Sequence, residues 1–147
     1  MYWAGNATFS EFFDIHWNIG DATGRHWTKP ESTCIFGQTN CPVEVKGGQL
    51  AIIYCHREKT DQPGVKVVLS NDGGETWDKE TQVVVWDAYG KASLGVARTD
   101  KYPSSHDAIA YGLPHLIRLN DEELLASFWC TQSCDTYVRC CRLRVSS

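Results

Sequence analysis

The chain has 147 residues, enough for one domain with a hydrophobic core, and its hydrophobic share of 42% and charged share of 22% are ordinary for globular proteins. A net charge of −4 gives no electrostatic basis for binding nucleic acid. The sequence has no apolar run near the ~20 residues of a membrane-spanning helix, and its start, MYWAGNATFSEFF, lacks the basic and apolar regions of a signal peptide. We therefore expect a soluble chain whose partners are neither nucleic acid nor membrane.

Short β-branched and aromatic runs, separated by Gly, Asp and Asn turns, predict antiparallel β structure along the chain. In chain order the runs are PVEV (42–45), QLAIIYCHR (49–57), GVKVVLS (64–70), TQVVVWD (81–87), PHLIRL (114–119), ELLASFWC (123–130) and YVRCCRLRV (137–145). The turn signals between them are Gly47-Gly48, Asp72-Gly73-Gly74 and Asn120-Asp121-Glu122. Helical periodicity is almost absent, so the predicted fold class is all-β.

Seven cysteines make an odd number, so at least one is free or pairs between chains. Five of them lie in apolar, strand-like runs: Cys34, Cys41, Cys55, Cys140 and Cys141. In such runs a reduced thiol acts as a small hydrophobic side chain, so we predict that these five are buried and structural.

An internal repeat appears when parts of the chain are overlaid. Residues 24–27 (GRHW) match residues 74–77 (GETW) at an offset of 50, and residues 43–55 match residues 117–129 at an offset of 74. The two offsets differ by the length of segment 88–111, which we interpret as an insertion between repeats. A unit of four strands and about 50 residues is the size of one blade of a β-propeller.

The octapeptide SNDGGETW, residues 70–77, has a physical reason for each defined position. Asp72 is placed to accept hydrogen bonds from turn N–H groups, and Ser70 to pair with it or with the backbone. Gly74, with Gly73 before it, permits positive φ in a tight hairpin. Trp77 supplies a large apolar ring that can wedge between adjacent blades. We therefore interpret the octapeptide as a structural device.

Two groups of residues suggest metal sites, and we predict no metal or other cofactor at either. A calcium loop would need more carboxylates than Asp72, Glu75 and Asp78, and the EF-hand pattern is absent. A zinc site would use Cys130, Cys134, Cys140 and Cys141. The last two are neighbours on one predicted strand and therefore face opposite sides of its sheet.

Ser-x-Asp-x-Gly-x-x-Trp, matched at every defined position by Ser70, Asp72, Gly74 and Trp77, is the Asp-box, and the chain resembles the sialidase (neuraminidase)-like BNR-repeat β-propellers. GDATGRHW (20–27) looks like a decayed copy, and the GQ-x-x-x-P start, the His-Arg pair at 56–57 and the closing RLRV are also similar. The resemblance implies about two and a half blades of four antiparallel strands, part of a six-bladed propeller. We expect a single partial domain with blade pieces at about 1–36, 37–87 and 112–147 and a long loop at 88–111.

The resemblance implies a functional site at the end of the blades opposite the Asp-box, where the innermost strands begin. In sialidases this end holds three arginines that clamp the substrate carboxylate, a Tyr nucleophile with a Glu partner, and an Asp acid/base. On this overlay Arg57 takes an arginine position and Asp61 lies near the acid/base position, which makes them the catalytic candidates. The substrate-binding candidates near this end are Gln38, His115, Arg98 and His106.

The sequence also departs from the sialidase pattern. Gln38 stands where the first clamp arginine would be, and Leu113 stands where the nucleophilic Tyr would begin its strand, with Tyr111 two residues away. We therefore predict a glycan-processing or glycan-binding propeller fragment without full sialidase activity on its own; any catalysis would be that of a glycoside hydrolase of the exo-α-sialidase type. The alternative is a non-catalytic interaction or self-assembly module, in which Arg57 and Asp61 form a solvated pair and His115 packs beside its proline.

The chain is predicted to be too short to close a propeller by itself, because a propeller closes only with about 4–8 blades. Two and a half blades leave long sheet edges that can pair with another chain. We therefore predict a homo-oligomer, or the missing remainder of a propeller, as the partner of this chain, with a glycan as its ligand.

Overall fold

A computed structural model describes residues 2–5, 12–57, 62–88, 110–133 and 135–145 of the chain. Its strands are β1 (Tyr2–Gly5), β2 (Phe12–Trp17), β3 (Glu31–Ser32), β4 (Gln38–Glu44), β5 (Leu50–His56), β6 (Gly64–Ser70), β7 (Asp78–Asp87), β8 (Tyr111–Arg118), β9 (Glu123–Gln132) and β10 (Asp135–Arg144). A 3-10 turn at Lys46–Gly48 connects β4 to β5. Within the described ranges, no helix has the length and apolar character needed to cross a membrane.

The strands form three antiparallel sheets, and each sheet takes its strands in chain order. The first sheet contains β1 to β3, the central sheet β4 to β7, and the third sheet β8 to β10. All strand pairs are antiparallel, which confirms the predicted all-β fold. Each of the seven predicted runs coincides with one strand from β4 to β10. Four strands, β4, β7, β8 and β10, begin earlier than their runs, because polar or Gly residues at their starts interrupt the hydrophobic pattern.

The core lies on both faces of the central sheet, because neighbouring side chains of β5 and β6 point to opposite sides. On one face Ile52, Tyr54, Val68 and Trp77 pack with Ile15 and Ile35 of the first-sheet region. On the other face the central-sheet residues are Ala51, Ile53, Cys55, Val65 and Val67, and they pack with Leu116, Leu124, Ala126, Phe128 and Cys130 of the third sheet. The central sheet is therefore covered on both sides, which explains why β5 and β6 have continuous apolar sequences.

The described cysteines are free thiols, and their burial corrects part of the sequence-based prediction. Cys55 is buried, and Cys41 and Cys141 are half-buried. Cys34 and Cys140 are exposed, so the prediction of burial was wrong for both. Cys34 lies outside the strands, in the segment after β3, and Cys140 belongs to β10, whose side chains are mostly exposed.

A β-bulge interrupts the start of β4 and the start of β8 at equivalent positions of the repeat. In β4 the register shifts between Gln38 and Asn40, and Thr39 between them has a φ of 37°. In β8 the register shifts between Gly112 and His115, and Leu113 has a φ of 46°. Positions 39 and 113 differ by 74, the offset found in the sequence, so the repeat extends to a positive-φ residue at the start of each strand.

Candidate functional site

The Asp-box turn joins β6 to β7 and is held by its own side chains. The Ser70 hydroxyl donates to Asp72 Oδ1 at 2.8 Å and accepts from the Gly74 amide at 2.8 Å. Asp72 accepts from the Thr76 amide at 2.9 Å and from the Thr76 hydroxyl. Gly73 and Gly74 have φ of 75° and 99°. Trp77 packs between the central and first sheets, so the geometry matches the structural role predicted for each position.

The related turn at residues 20–27 keeps the carboxylate anchor but not the buried ring. Asp21 Oδ1 accepts from the Thr23 amide at 3.0 Å, the Thr23 hydroxyl at 2.7 Å and the Arg25 amide at 3.2 Å. The Asp-box overlay places Ala22 at the carboxylate position, so Asp21 performs this role from one residue earlier. Trp27 is 60% exposed, whereas Trp77 is 7% exposed. The second turn is therefore an Asp-anchored hairpin whose tryptophan covers little core.

Arg57 connects the central and third sheets at the end opposite the Asp-box turn. Its Nη1 donates to Gln38 Oε1 at 2.9 Å, and its Nη2 donates to the backbone carbonyl of Tyr111. The guanidinium carbon lies 4.7 Å from the centre of the Tyr111 ring, within the range of a cation–π contact. The Tyr111 hydroxyl donates to the carbonyl of His56 at 2.8 Å. We call Gln38, Arg57 and Tyr111 the Arg57 cluster.

Two hydrogen-bond donors of the Arg57 cluster, Arg57 Nε and Gln38 Nε2, are buried without a hydrogen-bond partner among the described residues. Thr39, at the β4 bulge, hydrogen-bonds to the Cys55 thiol, whereas Asn40 pairs with Tyr54 and points to the face that packs against the first sheet. The Cys55 thiol also interacts with Arg57, but sulfur is a weak acceptor. A buried polar atom left unpaired costs about 1–3 kcal/mol. A ligand that offers acceptor atoms would satisfy the two donors.

The charge of Arg57 has no carboxylate partner among the residues that the structure describes. Its two guanidinium hydrogen bonds go to neutral oxygens, and a guanidinium has five N–H donors. Burial raises the pKa of the neighbouring Cys55 thiol, and the positive charge of Arg57 opposes part of that rise. Because the thiol is therefore neutral near pH 7, it does not balance the arginine charge.

His56 and Lys66 form a second polar pair at the same end, on the opposite face of the central sheet. Lys66 Nζ lies 3.0 Å from His56 Nδ1, and Lys66 is buried in β6. The His56 ring lies 6.0 Å from the ring of Tyr54, which faces the first sheet. The signal for Lys66 was present in the sequence as a single charge inside the valine run GVKVVLS.

The structure brings two of the predicted site residues together and separates a third. Gln38 and Arg57 are in direct contact. His115 pairs with Ser127 on the face of the third sheet that points away from the central sheet, so it does not join the Arg57 cluster. Asp61, Arg98 and His106 lie outside the described residues.

Three residues of this region were absent from the predicted site: Thr39, Asn40 and Lys66. Extending the repeat alignment towards the N-terminus at the same offset of 74 reaches Thr39 and Asn40, because it pairs Gln38-Thr39-Asn40 with Gly112-Leu113-Pro114. These positions share no residue type, and only their backbone geometry is repeated. Similarity of residues therefore gave no signal there.

An open groove of about 570 Å³ lies at the Asp-box end, away from the Arg57 cluster. It is lined by turns of the central and third sheets, and its polar side chains include Lys46, Gln49, Asp121, Glu122 and Arg144. These side chains satisfy one another in part: Arg144 Nη2 lies 3.8 Å from Glu122 Oε2, and Gln49 donates to Asn71 at 2.6 Å. The unpaired buried donors nevertheless make the Arg57 cluster the better candidate for a ligand site.

Comparisons of the chain with protein-family models, curated proteins and solved structures found no match.

Proposed function

We propose that this chain is part of an Asp-box β-propeller and that it binds an acidic glycan, a sugar with a carboxylate group, at the Arg57 cluster. The observation that carries the proposal is a pair of buried donors on two contacting residues, Arg57 Nε and Gln38 Nε2, neither with an oxygen or nitrogen acceptor among the described residues. A carboxylate supplies two acceptor oxygens and a negative charge, which none of the described residues places beside Arg57.

The propeller interpretation is supported by the order and packing of the sheets. Each sheet follows the previous one in the chain, contains neighbouring antiparallel strands, and packs face to face against the next. The first sheet then supplies three strands of one blade, the central sheet a complete blade, and the third sheet three strands of the next. The buried Trp77 between the first two sheets fits the wedge role of an Asp-box tryptophan.

The preorganisation of Arg57 supports binding of a planar anion. The Tyr111 ring lies against the guanidinium, and Gln38 fixes one of its nitrogens, so little side-chain freedom is lost when a ligand binds. Thr39, at the β4 bulge beside the Cys55 thiol, adds a hydroxyl near the guanidinium, and a hydroxyl can both donate to and accept from the hydroxyl groups of a sugar.

The proposal is binding rather than complete sialidase catalysis. Gln38 occupies the position of a clamp arginine and holds Arg57 instead of adding a second positive charge. Tyr111 is the tyrosine nearest the nucleophile position, and its hydroxyl donates to the His56 carbonyl. A hydroxyl held in this way is directed at the backbone, so we expect the chain to bind glycans without hydrolysing them efficiently.

Binding can be tested by calorimetry with a sialoside, a uronic-acid glycoside and a matched neutral glycoside. We expect the two acidic sugars to bind more tightly than the neutral one. Arg57→Ala should weaken acidic-sugar binding about 10- to 100-fold, the range for loss of a charged hydrogen bond, and Arg57→Lys should lie between it and the wild type.

Arg144→Ala is the matched control, because it removes one positive charge from the groove at the other end of the sheets. It should leave acidic-sugar binding unchanged. A loss of binding with Arg144→Ala but not with Arg57→Ala would move the site to the groove. If none of the three sugars binds the wild-type chain, the glycan proposal is wrong.

A non-catalytic interaction module is the second candidate function, and a different observation favours it. The third sheet has exposed large apolar side chains, among them Ile117 and Val138. The calorimetry distinguishes the two candidates, since an interaction module need not bind any sugar. A fluorogenic sialoside separates both from a complete sialidase, for which steady turnover would be observed.

A further inference from the structure

Among the described residues, one face of the third sheet packs against the central sheet and no other sheet covers its second face. Leu124, Ala126 and Phe128 of β9 are buried against the central sheet. The residues between them in β9 point to the other side, and β8 and β10 add the side chains directly opposite them in the strand register. We call that side of the sheet the outer face: its apolar side chains are those of Ile117, Leu125, Trp129 and Val138, and the same register adds His115, Ser127, Cys140 and Arg142. Ile117 is 52% exposed and Val138 is 77% exposed.

The internal repeat shows how the equivalent face is used elsewhere in the same chain. At the offset of 74, Leu125 and Trp129 correspond to Ala51 and Cys55 of the central sheet. Both central-sheet residues are completely buried, and the third sheet covers them. The outer face is thus the counterpart of a surface that, one repeat earlier, is the centre of a contact between sheets.

We propose that the outer face binds the same face of a second copy of this chain, forming a two-fold symmetric dimer. Two apolar sheet faces pack well against each other at about 10 Å separation. A two-fold contact needs only one self-complementary surface, and such contacts are the commonest in homo-oligomers. The proposal does not depend on glycan binding.

The opposite side of the molecule is a poor partner for the outer face. Ile15 of β2 points into the core, so its neighbours Asp14 and His16 point to the side of the first sheet that faces away from the central sheet. There Asp14 accepts from the Ser32 hydroxyl and from the Cys34 amide at 3.1 Å. Head-to-tail stacking would bury this carboxylate against apolar side chains, at a cost in desolvation. Pairing of two outer faces leaves this carboxylate in solvent, and Arg142 lies on the end strand β10, from which its long side chain can reach the rim of the contact.

The size of the outer face sets the expected strength of the dimer. Three strands spaced about 4.8 Å apart and about 30 Å long cover a flat area of roughly 430 Å², which does not include the contours of the side chains. A standard interface buries about 800 Å² on each partner, so this face is at the small end of the range. We therefore expect a dissociation constant on the order of micromolar.

The test is the molar mass in solution as a function of concentration, measured by light scattering and sedimentation. The wild type should move from 16.5 kDa towards twice that mass as its concentration rises to about 100 μM. Val138→Glu and Ile117→Glu should raise the dissociation constant about tenfold or more, as changes at interface hot spots do. A reductant is required, because Cys34 and Cys140 are exposed free thiols that could form disulfides between copies.

Val83→Glu is the matched control, since Val83 lies on β7, away from the outer face, and is 51% exposed. It should dimerise like the wild type, and circular dichroism with a cooperative thermal transition should show that all three variants are folded. A wild type that stays monomeric at 100 μM would overturn the proposal. So would a dimer that Val138→Glu and Ile117→Glu leave intact, or one that Val83→Glu disrupts equally.

Discussion

Hydrogen bonds within the Asp-box turn lower the pKa of the Asp72 carboxylate. Hydrogen bonds from the Thr76 hydroxyl, the Thr76 amide and the Ser70 hydroxyl lower its pKa from 3.8 to about 2. All three donors belong to the Asp-box turn itself. The ionised form of Asp72 is therefore part of the folded turn, and folding of the turn is linked to pH.

Asp72→Asn should make this linkage visible in unfolding experiments. The folded pKa is lower than the unfolded one, so the ionised carboxylate stabilises the fold fully above about pH 4 and loses that effect as the pH falls towards 2. The wild type should be more stable than the variant to urea at pH 7, and the difference should narrow between about pH 4 and pH 2. A difference that stays constant over this interval would contradict the assignment.

Leu113 provides a test of backbone strain, because its φ is 46° and its side chain is exposed. A left-handed backbone costs a residue with a Cβ about 1–2 kcal/mol, and glycine avoids this cost. In an ordinary strand, alanine is more stable than glycine by about 0.5–1 kcal/mol. Here we expect the reverse order, with Leu113→Gly more stable than Leu113→Ala by about 0.5–1 kcal/mol in urea unfolding. The usual order would show that the bulge relaxes when the leucine side chain is removed.

The two tryptophan turns differ in what they contribute to the packing of sheets. Trp77 fills the space between the central and first sheets, and Trp27 lies largely in solvent over its own hairpin, with its indole donating to the Gly24 carbonyl at 2.9 Å. Trp77→Ala should lower the free energy of unfolding by about 3–5 kcal/mol, because a large buried cavity forms. Trp27→Ala should cost less than about 1 kcal/mol. Equal losses in denaturant titrations would mean that Trp27 is covered in solution.

The strands from β4 to β10 could be predicted because their sequences carry the physical cause of their structure. The runs QLAIIYCHR and GVKVVLS are apolar at nearly every position, which is what a strand covered on both faces requires. The starts of β4 and β8 could not be predicted in the same way. Gln38, Thr39 and Asn40 have no apolar alternation, and their structure depends on a bulge that only the register with β5 reveals.

At the scale of the whole molecule, the sequence predicted which end would collect polar residues but not how they would meet. Gln38 and Arg57 are 19 positions apart, and their contact follows from the pairing of β4 with β5. His115 was expected at the same end. The β8 bulge separates it from Tyr111, so that it faces away from the central sheet while Tyr111 faces towards it. A one-residue irregularity in a strand decides which side chains join a site, and residue types alone do not encode it.

The bulge at Thr39 also shifts the alternation of side chains between the two faces of β4. Gln38 and Cys41 are three residues apart, yet they lie opposite Cys55 and Ile53, which share one face of the sheet. An uninterrupted strand would place residues with an odd separation on opposite faces. The start of β4, which contacts Arg57, and the rest of the strand, which packs in the core, therefore do not share one continuous alternation of side chains. Adding or removing one residue at Thr39 would exchange the side chains presented to Arg57 and leave those of the core in place, so the site that we propose can change in evolution without repacking of the fold.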